Sequence, residues 1–275
     1  MFIIDIAHTY TVFNEWLKQF DWEQVPLARK LEHTHQVANL AKSMAENKFK
    51  DDQEAINLTE FIGLVHDIAR FVQWTRFGTF QDMKADHADL GVEVLLGEGM
   101  DGNGILIDQL APGILENQRI LDIVVFAVKW HNKLNFPEDA TDEQMMFAQL
   151  LKDADTQDIL LNSMKINDYE ELTHLLAEQG LDIADLSNSE LSTDVYIDFV
   201  FGFAIDRKDV KTCADRFVFW AGYYHNLSPE GQTLDVFHKV FDDYLNPDRF
   251  YKNRRTRALF VNLQNTMRAR PRLEF

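Results

Sequence analysis

The segment Phe61-Ile62-Gly63-Leu64-Val65-His66-Asp67-Ile68-Ala69-Arg70-Phe71-Val72 is apolar nearly all round. A helix of that kind has no face to give to water, so other helices must surround it. Three ionisable residues nevertheless sit inside it: His66, Asp67 and Arg70. Burying charge is expensive unless the charge is paired or coordinates a metal. His66 and Arg70 are four residues apart and share a face, with Asp67 one step round. A His, a carboxylate and a cation in one buried helix read as a site.

Helical periodicity dominates the rest of the chain. It predicts helices at about 11–20, 25–48, 52–74, 85–98, 117–133, 141–165, 168–179, 209–226, 232–245 and 248–268. The six prolines fall mostly between or at the edges of these segments, as helix punctuation should. Strand signals are sparse, with Gly104-Ile105-Leu106-Ile107 the one short extended candidate. Asp101-Gly102-Asn103-Gly104 reads as a turn, because Ile105 and Pro112 stand where a calcium loop needs oxygen ligands. No repeat of 20–50 residues and no low-complexity run is present. The expected fold class is all-α: a helical bundle over 1–180, carrying the chemistry, with a C-terminal helical extension over 181–275 packed on it. The Ser/Asn/Asp-rich stretch after Gly180 suggests the division.

A chain of 275 residues with 46% apolar residues can bury a substantial core, which excludes a disordered reading. With 21 Phe, aromatic packing should be prominent in it. The net charge of -18 argues against nonspecific nucleic-acid binding, which needs Lys and Arg on phosphates. If the substrate is anionic, a local cationic pocket or a bound metal must reverse the field at the site. The charge is uneven. From Arg249 to the end there are eight basic residues and one acid, Glu274, against 19 basic and 44 acidic residues elsewhere. A last helix docked on an acidic body explains that tail, and an anionic-partner surface is the rival explanation. Cys213 is alone, so neither an internal disulfide nor a Cys-based zinc site can form. MFIIDIAHTY has no basic n-region and carries Asp5 within its apolar run, which makes a poor signal peptide. No uncharged apolar run reaches a membrane-spanning length of about 18 residues. Cytoplasmic residence is the expectation.

The placement of the histidines is informative. On helix 25–48, His33 shares a face with Val37, Leu40, Ala41 and Met44, whereas His35 lies with Asn39, Lys42 and Glu46. His33 is therefore expected to point inward and His35 outward. His87 heads a stripe of Leu90, Gly91 and Val94, and His131 ends one of Ile120, Val124, Ala127 and Val128. Asp155 lies with Ala148, Leu151 and Ile159, whereas Asp153 lies with Met146, Gln149 and Gln157, a wetter face. Thus His33, His66, Asp67, His87, His131 and Asp155 can all face one interior. Any one histidine is most simply a satisfied core residue, but all six residues facing inward by chance is a poor explanation. Mixed nitrogen and oxygen ligands without thiolates suit a divalent Mn, Fe, Ni, Co, Zn or Mg ion.

His33-Thr34-His35-Gln36-Val37-Ala38, then His66-Asp67-Ile68-Ala69-Arg70, then Ala154-Asp155-Thr156-Gln157-Asp158 resembles the H…HD…D pattern of the HD-domain superfamily of metal-dependent phosphohydrolases. The resemblance covers about residues 25–165. It implies an HD-type helical bundle whose metal ligands are His33, His66, Asp67 and Asp155. His87-Ala88-Asp89-Leu90-Gly91-Val92-Glu93-Val94-Leu95 resembles the extra helix of relatives that hold further ligands. Trp130-His131-Asn132 stands where two-metal relatives carry His-His, and Asn135-Phe136-Pro137 where the HD-GYP branch carries Gly-Tyr-Pro. Ala69-Arg70 replaces the Gly-Lys common in relatives; Arg keeps the charge and adds a planar fork suited to phosphate oxygens.

The resulting expectation is a phosphohydrolase acting on a phosphate ester, a nucleotide or a related small phosphorylated metabolite. The ion would acidify water and neutralise phosphoryl charge. Asp67 would bridge to a second ion or orient the attacking water. His87 and His131 would ligate that second ion or contact the phosphate. Arg70, with Lys84 as a weaker candidate, would bind substrate oxygens. The alternative is a metal-binding regulatory protein with the same fold and little or no turnover. A (p)ppGpp-type regulator would need further domains, and a nucleic-acid module would depend on the basic tail. A homo-oligomer is compatible with all of these. No Walker or Gly-x-Ser-x-Gly pattern is present. Trp220-Ala221-Gly222-Tyr223-Tyr224-His225 reads as an aromatic packing helix, with one wall of a substrate pocket as its functional alternative.

Overall fold

The structure, a computed structural model, describes residues 2–102, 104–164, 176–177, 181, 183–228, 246, 248 and 251–268. They form helices joined by short loops and 3-10 turns, and no strand occurs among them. The chain divides into two compact units, Met1–Asp158 and Ile159–Phe275. The first carries α1 (Ile6–Leu17), α2 (Val25–Phe49), α3 (Gln53–Val65), α4 (Ile68–Phe77), α5 (His87–Leu95), α6 (Leu106–Leu110) and α7 (Gln118–Trp130). Helix α8 (Asp142–Met164) runs across the division in sequence. The second carries α9 (Thr193–Phe201), α10 (Cys213–Gly222) and α11 (Arg254–Arg268). No helix among the described residues is long and apolar enough to cross a membrane.

Most helix starts are set by side-chain caps that satisfy orphan N–H groups. The Asp5 carboxylate accepts from His8 N, so α1 begins five residues before the expected 11. Asp52, Asp86 and Asn117 cap α3, α5 and α7 in the same way. Thr212 and Asp215 form a capping box for α10. Helix α9 was not expected. The Ser/Asn/Asp-rich stretch before it ends at its cap residue Ser192, and Gly202 closes it at φ 76 in the left-handed region. The extended piece expected at 104–107 reduces to one bridge, Glu98 to Ile105, because the chain turns helical at Leu106. The helix expected at 232–245 lies outside the described residues, as does that at 168–179 except for 176 and 177.

The main correction concerns the predicted helix 52–74. It is two helices, α3 and α4, and the break falls at His66 and Asp67. Asp67 sits at φ -108 and ψ 19, outside the helical region, at the N-cap of α4. Its carboxylate makes no capping bond. The residues on both sides of the break, Leu58 to Ala69, are all buried, so the apolar pattern does not register a two-residue change of direction.

In the first unit Phe71 of α4 is the hub of an aromatic cluster. Phe13, Trp16, Phe20 and Trp22 all place their ring centroids within 6.4 Å of it. Helices α2 and α3 pack closely because Gly63 has no side chain. A Cβ at Gly63 would stand 2.8 Å from the Ala38 Cα. Gly63→Ala should therefore destabilise the protein. Alanine gains about 1 kcal/mol of helix propensity, but the clash is with backbone, and overpacking costs about 1–3 kcal/mol. The check is the melting temperature, which should fall; an unchanged or higher value would show that α2 and α3 separate without cost.

In the second unit Phe199, Phe217, Trp220, Tyr251 and Phe260 are buried together. Trp220 packs edge-on against Phe217, and His225 against Phe199, so this aromatic run packs within its own unit. Of the basic tail, α11 buries Thr256, Phe260, Leu263 and Met267 in that core, and Arg257 pairs with Asp248.

Candidate metal centre

Helix ends in the first unit deliver ligand atoms to one place. His66 is the C-cap of α3, Asp67 the N-cap of α4, His87 the first residue of α5, and His131 the C-cap of α7. His33 comes from the middle of α2 and Asp155 from α8. Gly91 allows α5 to approach: a Cβ there would meet Val128 at 3.0 Å, with the His66 carbonyl at 3.8 Å.

Two groups of donor atoms form, each with its atoms within 4.8 Å of one another: His33, His66 and Asp155, and Asp67, His87 and His131. Asp67 joins them. Its Oδ2 lies 3.5 Å from His33 Nε2 and 3.3 Å from His66 Nε2. Its Oδ1 lies 3.6 Å from both His87 Nε2 and His131 Nε2. One carboxylate thus faces both groups, one oxygen to each.

The tautomers follow from the partners of Nδ1. In His66 and His131 this nitrogen donates to a carbonyl three residues back, Gly63 O and Val128 O, both at 2.7 Å. In His33 it donates to Asp158 Oδ2 at 2.6 Å, and in His87 to Asp82 Oδ1 at 2.8 Å. Each neutral ring therefore presents a bare Nε2 lone pair to the centre. His87 Nε2 and His131 Nε2 then face each other at 3.0 Å. Two lone pairs at that distance repel unless a cation lies between them. His66 Nε2 and Asp67 Oδ1 are buried with no hydrogen-bond partner. Native proteins rarely leave such atoms unsatisfied. Orphaned, convergent nitrogen and oxygen donors are what a divalent ion requires, so the residues fit a metal.

The surrounding charges agree. Burial alone would raise the Asp67 pKa, yet Lys30 and the neighbouring imidazoles hold it well below the carboxylate range. Lys30 Nζ donates to Asp67 Oδ2 at 2.6 Å. Asp155 is likewise held low against its burial, chiefly by His33. Burial and Lys30 oppose charging His33, but Asp155, Asp158 and Asp67 outweigh them and raise its pKa to about 10. His87 is shifted down, mainly by burial.

These shifts set opposite pH trends for the protein with and without metal. The raised His33 pKa contributes stability that is complete below 6.5 and lost as pH rises toward about 10. The depressed Asp67 and Asp155 contribute stability above the usual carboxylate range that is lost on acidification. The metal-stripped protein should therefore melt highest in mildly acidic buffer and lower as pH rises through 7 and 8. Metal uptake requires deprotonated ligands, so the melting-point gain from Mn or Ni should grow over the same interval. Thermal scans with and without metal would check this; a gain that shrinks with rising pH would refute it.

Several residues stand differently from the sequence reading. His35 does not point outward. It is half-buried against the rings of Tyr10 and Phe13, because α1 covers the face of α2 that reads as polar. Asp153 is the more buried carboxylate of its pair, at 1% exposure, and accepts from Gln149. The Asp155 side chain keeps 20% exposure, yet reaches His33 Nε2 at 3.1 Å. The carboxylate that faces the imidazoles is thus the wetter one. Arg70 Nη1 donates to Gln73 Oε1, Phe80 O and Asp82 Oδ1, and its Nε lies 3.7 Å from Asp67 Oδ1. Lys84 is exposed. Asn132 donates to the α5 cap residue Asp86 at 3.1 Å, beside His87.

Three neighbours of the centre were given no role by the sequence, although Asp158 closes the Ala154–Asp158 motif. Lys30 lies one helical turn before His33, and Asp158 one turn after Asp155; that spacing was the available signal. Asp82 sits in an aperiodic loop and left none.

Comparison with known proteins agrees with this geometry. The family model described as HD domain matches residues 31–169, which is 139 of the 275 residues. No curated protein and no solved structure matches the chain.

Proposed function

This chain belongs to the HD domain family, and on that premise we propose that it is a metal-dependent phosphohydrolase acting on a nucleotide or a related small phosphorylated metabolite. The observation that carries the reading is the pair of donor groups joined by Asp67, with every Nδ1 engaged by a partner outside the centre so that each Nε2 is turned toward it. His33, His66, Asp155 and Asp67 would hold one divalent ion, and Asp67, His87 and His131 a second. Bound divalent ions supply Lewis acidity, which neutralises phosphoryl charge and lowers the pKa of water.

The chain's own residues do the rest. Gly63 O, Val128 O, Asp158 and Asp82 fix the imidazole rings and their tautomers, so no ligand has to be reoriented during turnover. Arg70 ties Phe80 O and Asp82 to α4 and, through Asp82, acts on His87 as a positioning residue. Lys30 reaches Asp67 from a partly exposed position, where its ammonium can meet a phosphoryl oxygen. These cations reverse the field locally in a chain of net charge -18.

The test is purified protein against a panel of nucleotides, phosphomonoesters and phosphodiesters with Mn, Co, Ni or Mg, before and after metal stripping. The expected result is phosphate release that stripping abolishes and metal restores. Metal bound without turnover across the panel would instead support a regulatory protein with this fold. Failure to bind any divalent ion would end both readings.

A further inference from the structure

His87 Nε2 and His131 Nε2 face each other at 3.0 Å, yet they stand at the ends of two different helices, α5 and α7. With both Nδ1 protons committed elsewhere, the two bare nitrogens repel in the metal-free chain. Something must keep the helix ends from parting. The braces of the rings do not do so. Asp82 holds His87 from the loop before α5, and Val128 O holds His131 from within α7. The close approach of the two helices at Gly91 lies one turn further along α5.

The polar bonds that cross from one helix end to the other meet on a single carboxylate. Asp86 Oδ1 caps α5 by accepting from Ala88 N and Asp89 N, and it also accepts from Asn132 Nδ2 at 3.1 Å. Asp86 Oδ2 accepts from Lys133 Nζ. Asp86 is the residue before His87, and Asn132 and Lys133 are the two residues after His131. The two imidazoles are thus tied through their chain neighbours. The loop after His131 is itself anchored. Lys152 of α8 donates to Lys133 O at 2.6 Å and lies 4.1 Å over the Phe136 ring, and that ring packs on Phe126 of α7 at 5.7 Å. The Lys133 and Asp86 side chains keep 29% and 32% exposure. An ion pair this open to water adds little to stability. Its effect is on where the two helix ends stand.

We infer that Asp86 and Lys133 are positioning residues of the metal centre, holding His87 and His131 together through the Asp86–Asn132–Lys133 clasp whether or not an ion is bound. The inference rests on the reading of Asp67, His87 and His131 as the ligands of a second ion. It assigns Asn132 to the clasp and not to the ligand set.

Calorimetric titration of the metal-stripped full chain with Mn tests this on the parent, Asp86→Ser, Lys133→Met, Lys133→Arg and His131→Gln. Serine keeps a cap for α5 but lacks the charge and the second oxygen that serve the loop. The parent should show two binding events. The event that His131→Gln abolishes should weaken about ten- to hundredfold in Asp86→Ser and about tenfold in Lys133→Met, with the other event unchanged. Lys133→Arg, which keeps the ion pair, should recover most of the loss. Without metal, Asp86→Ser and Lys133→Met should melt within about 3 °C of the parent, as loss of an exposed pair in a chain of this size allows. Both events weakened alike, with a clear fall in melting temperature in both variants, would make the clasp a structural element only. Both events unchanged in both variants would show that it positions nothing. Either result overturns the inference and leaves two bound ions in place. A parent that binds one ion or none removes the second-ion reading and this inference with it.

Discussion

Asp67→Asn should reduce metal-dependent phosphate release by roughly 10³-fold or more, the several kcal/mol that metal-ion catalysis supplies. The substitution keeps the volume of the side chain and exchanges one oxygen for an NH2 group. Oδ2 faces His33 and His66, and Oδ1 faces His87 and His131. Whichever way the amide turns, a donor points into one group of lone pairs and removes an oxygen ligand there. Lys30 also loses the charge it pairs with. Elemental analysis should show at least one ion fewer per chain, and circular dichroism should show the helices intact. A variant that keeps its full metal content and near-parental turnover would show that Asp67 is not the bridge.

The second large effect should come from His131→Gln. The ring of His131 is held by Val128 O, which leaves Nε2 aimed at His87 and Asp67. A glutamine cannot be braced in that way, and its amide is free to turn a donor toward the centre. The group formed by Asp67, His87 and His131 should fail, while His33, His66 and Asp155 keep their ion. Bound metal should fall from two ions per chain to one, and turnover by about a hundredfold, the upper end of what disturbing a metal's surroundings costs. A parental chain that binds a single ion and is indifferent to this substitution would remove the second group from the mechanism.

How much of this was legible in the sequence depends on what periodicity can record. The 3.6-residue repeat carried the all-α class, and the single-family pattern between His33 and Asp158 carried the family. Helix phase picked out His33, His66, His87, His131 and Asp155, and the structure brings these side chains to one place with Asp67. Phase failed where the backbone departs from a helix. The break at His66 and Asp67 is invisible because every residue from Leu58 to Ala69 is buried, so the apolar run continues unbroken through it. Inward and outward are also not the same as buried and wet. His35 is covered by α1, which no pattern within α2 records, and Asp153 is more buried than Asp155, the carboxylate that faces His33. Charges supplied from neighbouring turns or loops, Lys30 and Asp82 above all, acquire meaning when the chain is folded and not before.

The four imidazoles, each braced at Nδ1, have a consequence for the choice of ion. Their aim is set by Gly63, Val128, Asp158 and Asp82 whether or not a cation has arrived. Such a socket offers the same nitrogens and oxygens to every visitor, and with no sulfur among them it discriminates weakly between Mn, Fe, Co, Ni and Zn. Selection then passes from the shape of the protein to the supply around it. One and the same chain would run fast or slow according to which ion its surroundings had in surplus.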